Sequence, residues 1–121
     1  MLPPIYTTLQ ASATVRSLLG NKPRVYRNEA PQKVEAPYAV WLVVAGTPEN
    51  NLSDTPSHDR ATVQVDVYAA GDGVCEAVAQ AIRDQMETVT HMTAWRTLPR
   101  DAETRNFRIS MDFDFWLARE A

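Results

Sequence analysis

Three aspartates are the residues whose type and spacing could do chemistry. Asp112 and Asp114 lie two residues apart in "NFRISMDFDFWL", residues 106–117, and Asp66 lies in "RATVQVDVYAA", residues 60–70. Both stretches alternate apolar and polar residues, the pattern of a strand with one buried face. Carboxylates two residues apart on a strand share a face at roughly 7 Å. If the two strands belong to one sheet, Asp66 joins them. Such a set could suit a divalent cation or an acid/base pair. The same pattern also arises from solvated residues on the outer face of a half-exposed sheet, with Arg108 as an ion-pair partner, or from an acidic surface facing DNA. The pattern leaves all three readings open.

Other chemistry is sparse. "SHD" at 57–59 contains the letters of a catalytic triad, but adjacent residues cannot take triad geometry, and the stretch reads as a loop. The histidines are His58 and His91, too isolated for a zinc pattern. "GDG" at 71–73 is too short for a phosphate-cradling loop and has no lysine behind it. Cys75 is the single cysteine, which excludes an internal disulfide, and its place in an apolar helical stripe reads as a buried thiol. No catalytic residue, metal site or cofactor is expected.

The elements that must position these residues follow from periodicity. "LPPIYTTLQASATVRSLLGN" predicts one kinked helix or two short ones, with prolines in the first turn, Ser12 as a possible second N-cap and Gly20-Asn21 as the stop. "RVYRNE" is a short strand, and Pro31 and Pro37 bracket a loop. "YAVWLVVAGT", 38–47, is apolar on both parities, as in a strand covered on both faces. A polar loop over 46–59 precedes the strand that carries Asp66. The helix of about residues 74–88 carries Cys75, Val78, Ala79, Ile82, Met86 and, just beyond, Val89 on one stripe, with Asp72 as its N-cap. "MTAWRTLP" is a further strand, and "RDAETR" turns the chain into the last one. The expected class is α+β: one domain over 1–121, a mainly antiparallel sheet of four to five strands, and the helices on one face.

Composition bounds the function. In 121 residues the formal net charge is −3, with no basic footprint for specific duplex binding. The start "MLPPIYTTLQ" has neither a basic nor an apolar signal region, and the longest apolar run, "YAVWLVVA", falls far short of the ~20 residues of a spanning helix. The chain reads as soluble, made in a reducing compartment, and not a membrane partner. The outer face is not purely polar, because parity puts Tyr68 and Trp116 on it and the double-sided strand brings Trp41. Either the N-terminal helix or the long loop covers those aromatics, or the face meets a partner.

The whole pattern resembles the tail-completion, or tail-terminator, proteins of long-tailed bacteriophages and prophages. The carrying stretches are "IYTTLQASATVRSLLG", "RVYRNEAPQKVEAPYAVWLV" with its "P…PY" element, "ATVQVDVYA" followed by "AVAQAIRDQM", and the closing "RISMDFDFWL". The resemblance implies a non-enzymatic virion protein of α+β fold at the tail–neck junction, made in the host cytoplasm. It implies a homo-oligomeric ring, typically hexameric, on the head-proximal end of the tail tube. Such a ring stops tube growth, meets a head or neck connector protein, and lets DNA pass without specific binding. A neck, head-completion or other minor tail protein is the alternative, and a small metal-dependent enzyme a more distant one. The family has no catalytic residues to carry over. The residues placed at an oligomer or partner interface are Trp41, Tyr68, Trp116, Asn51, Leu52 and His58. Asp66, Asp112 and Asp114 are placed on an acidic, channel-facing or solvated surface.

Overall fold

The computed structural model describes residues 2–48 and 58–118. Two short helices, α1 (Ile5–Gln10) and α2 (Ala13–Leu19), replace the alternative of one kinked helix. The break is local chemistry: Ser12 is extended, and its hydroxyl accepts a hydrogen bond from the Val15 N–H at 3.2 Å, capping α2. Gly20 ends α2 at φ +101°, a conformation that side chains disfavour.

Strand β1 (Val25–Arg27) follows, then β2 (Tyr38–Pro48), β3 (His58–Ala69), helix α3 (Asp72–Met86), β4 (His91–Leu98) and β5 (Phe107–Ala118). The sheet order is β1-β2-β3-β5-β4. All neighbours are antiparallel except β1 and β2, which run parallel with Val25 opposite Ala39. A parallel neighbour requires the chain to travel back along the sheet before the second strand starts. The segment 28–37, which contains the loop between Pro31 and Pro37, makes that return without a helix.

The N-cap of α3 is Gly71, not Asp72. Asp72 is the first helical residue, where its carboxylate still favours the positive end of the helix dipole. The helix also stops at Met86, so Val89 lies past its end and is exposed instead of extending the stripe.

Helices pack on one face of the sheet, as the periodicity requires. Alternate residues of the central strands point into them: Val63, Val65 and Val67 from β3, and Ile109, Met111 and Phe113 from β5, all buried. They meet Val78, Ala79, Ile82 and Met86 of α3, while Ile5, Leu9, Val15 and Leu19 bring in the N-terminal helices. Gln85 donates to the Thr8 carbonyl at 2.9 Å, tying α3 to α1. Among the described residues, no helix is long and apolar enough to cross a membrane.

Candidate functional site

The face of the sheet away from the helices carries the sequence-derived candidates, because strand register sorts residues by parity. Asp66 stands opposite Ser110, Gln64 opposite Asp112, and Thr62 opposite Asp114. The three aspartates do share this face. Each is nevertheless engaged by its own partner. Arg108 donates to Asp66 at 2.8 Å, and the Gln64 amide donates to both oxygens of Asp66 at 3.0 and 3.2 Å. Arg96 forms a bidentate pair with Asp112 at 2.8 and 3.1 Å. The Thr62 hydroxyl donates to Asp114 at 2.9 Å.

This arrangement corrects the expectation of a solvated Asp66, which is 4 % exposed. Parity reports the face of a strand, not what neighbouring side chains do there. Arg108, one diagonal step away on β5, leans over the carboxylate and toward the Tyr68 ring, with its guanidinium carbon 5.5 Å from the ring centroid. Asp112 and Asp114 are half-buried. Arg60, Arg96 and Arg108 stand on the same face and match the three carboxylates charge for charge. Among the described residues, no three His, Cys, Asp or Glu side chains converge as metal ligands would.

The aromatic candidates separate. Trp41 stands opposite Val65 and, at 7 % exposure, belongs to the core under the helices, which corrects its assignment to an interface. On a strand apolar on both parities, side-chain type could not say which face the helices take. Trp116 lies on the opposite face, across from Arg60, and is 57 % exposed. Tyr68 is half-buried and stacks on Tyr38, with centroids 4.9 Å apart and planes at 16°. Burial raises both phenol pKa values. His58 opens β3, in register with Ala118. Asn51 and Leu52 fall outside the described residues.

The stacked tyrosines floor a cleft of about 530 Å³ that parity did not reveal. One wall is the 28–36 return segment, including Lys33 and Val34, and the other is the β4–β5 turn with Asp101 and Asn106. The turn is held by Asp101, whose Oδ1 accepts the N–H groups of Glu103 and Thr104 at 2.8 and 2.9 Å. Those bonds hold the Asp101 pKa below the ordinary carboxylate range. The "P…PY" element was the available signal: it ends at Tyr38 and supplies one wall. On the other side of the sheet, Cys75 is fully buried beside the Val67 carbonyl, and burial pushes its thiol up to about 11. It is the inert thiol that its apolar stripe predicts.

No curated protein matches the chain. Among solved structures, a chain of the virion of a native gene transfer agent particle is similar, with a TM-score of 0.65 and 18 % identity, covering 95 % of this chain and 92 % of that one. At that identity the likeness establishes the fold. A family model, that of tail completion protein gp17, matches residues 3–118. It spans the two N-terminal helices, the return segment that walls the cleft and the closing strand, and the chain belongs to the tail completion protein gp17 family.

Proposed function

We propose that this protein caps the head-proximal end of a phage tail tube as an oligomeric ring, ends tube growth and joins tail to head. Family membership over residues 3–118 carries the reading. The outer face fits a structural role. Its carboxylates are held in ion pairs and hydrogen bonds, an arrangement that fixes a surface and leaves little freedom for proton transfer. Trp116 is a large apolar group left exposed at one end of that face, where a neighbouring subunit, the tube or a connector protein would meet it. Two of the arginines on the face are committed to Asp66 and Asp112, which limits phosphate contacts. DNA would pass with little net attraction.

Purified protein mixed with tail tubes, imaged by negative stain and followed by light scattering, tests the reading. Caps should form at one end only, and capped tubes should not elongate when more tube protein is added. A protein that stays monomeric at high concentration and never binds a tube end would overturn it. Binding to an isolated head connector with no affinity for tubes would place it in the neck instead.

A further inference from the structure

Among the described residues, the sheet leaves two edges open, that of β2 beyond β1 and that of β4, and their geometry matches. On one side β1 covers only Ala39, Val40 and Trp41 of β2. Among the described residues, nothing pairs with the outer edge of β2 from Leu42 to Pro48. On the other side, among the described residues, β4, His91–Leu98, bonds only β5. A row of unmet N–H and C=O groups is a template for another strand. Native edges are commonly blunted by charge, yet the β2 edge carries Val43 and Val44, 37 % and 45 % exposed.

Strand directions fix what fits there. Antiparallel pairing along β2-β3-β5-β4 makes β4 run opposite to β2. A second copy in the same orientation therefore presents its β4 antiparallel to the open edge of β2. Such a contact is heterologous, using different surfaces on each subunit, and can close into a ring.

Strand β1 then sets the register. Followed through the sheet, Leu98 is level with Arg108, Tyr68 and Tyr38. An unshifted β4 from the next copy would collide with β1. A shift of an even number of residues keeps each face on its own side. The smallest even shift that clears β1 is four residues, about 14 Å. It places Leu98 opposite Leu42 on the outer face and Thr97 opposite Val43 on the helix side. Leu42 and Leu98 are both half-buried in the single chain, and Val43 and Thr97 are both exposed. A constant stagger also tilts the strands against the ring axis, as closing a sheet on itself requires.

We infer that copies of this chain join by pairing the free edge of β2 with β4 of the next copy, with Leu98 opposite Leu42 and Thr97 opposite Val43. This rests on the ring reading and specifies its contact. The test has two arms. In the first, Val43→Cys and Thr97→Cys are combined in one chain and oxidised after assembly on tail tubes. Directly opposed residues lie within reach of a disulfide. Buried Cys75 should not compete. A covalent ladder ending at the ring size is expected, and the double variant Val74→Cys with Val89→Cys on the helix side should give none.

In the second arm, hydrogen exchange on the unsubstituted protein compares free and tube-bound states. Outward amides of 42–47 and 91–98 should slow at least tenfold on assembly. Caps that form without the cross-link and without added protection would overturn the edge contact while leaving the ring intact. Protection of 42–47 already in the monomer would overturn it too, because the chain would then cover its own edge. Absence of any cap or oligomer would remove the ring reading itself.

Discussion

The Asp66–Arg108 pair allows a sharp test of how the outer face is built. The Asp66 side chain is 6 % exposed and the Arg108 side chain 36 %. Two unit charges about 4 Å apart attract by about 4 kcal/mol at an effective dielectric of 20 and by about 1 kcal/mol in water. With the arginine more than a third exposed, screening places this pair nearer the lower value, at about 1.5–2 kcal/mol. The two single substitutions should differ because the burials differ. Arg108→Met strands a buried carboxylate with only Gln64 as donor and should cost about 2–3 kcal/mol. Asp66→Asn keeps the shape and frees an arginine that can turn to water, and should cost about 1 kcal/mol. For a chain of 121 residues, 1 kcal/mol corresponds to about 4 °C in Tm. The expected losses are therefore about 8–12 °C and about 4 °C. A double-mutant cycle by urea unfolding, with the double variant included, should give a coupling of about 1–2 kcal/mol. A coupling under about 0.3 kcal/mol, or Asp66→Asn costing more than Arg108→Met, would refute the assignment of Asp66 as the buried, dependent partner.

Other expected outcomes follow from position. Trp41→Ala should cost about 3–5 kcal/mol by denaturant unfolding because Trp41 is buried in the core, whereas Trp116→Ala should change monomer stability by less than about 0.5 kcal/mol and reduce tube capping in a pelleting assay. The Cys75 thiol, raised to about 11 from its ordinary 9.0, should resist alkylation at pH 8 until the protein is unfolded. Its folded pKa lies above the unfolded one, so its contribution to stability is complete below pH 9 and falls as pH rises toward 11; urea melts at pH 8 and pH 10.5 check the sign, with lower stability expected at the higher pH. Gly20→Ala should cost about 1 kcal/mol in thermal melts, because φ +101° strains any side chain.

Local pattern made much of the fold legible. Alternation in 60–70 and 106–117 identified two strands, the apolar stripe identified α3, and Ser12 offered the cap that the structure uses to separate the first two helices. Those signals live within one or two turns or strand repeats, where periodicity and capping act. Parity also placed Asp66, Asp112, Asp114, Tyr68 and Trp116 on one face.

What it could not reach is cross-strand. Whether Asp66 is solvated depends on Arg108, 42 positions away, and on Gln64, which happens to turn toward it. The pairing of Arg96 with Asp112 depends on β4 lying beside β5. Trp41 is core and not surface because the helices cover that side of a strand apolar on both. The cleft over Tyr38 and Tyr68 exists because a return segment and a hairpin turn, about 70 residues apart, flank the same stacked rings. Sequence alone determined which residues alternate, which segments are helical to within a few residues, and that the chain is modestly acidic and of α+β class. Tertiary structure decided which charges are neutralised, which aromatic is free, and which strand edges stay open. Those properties belong to pairs of distant segments, and only the register of the assembled sheet brings them within reach of one another.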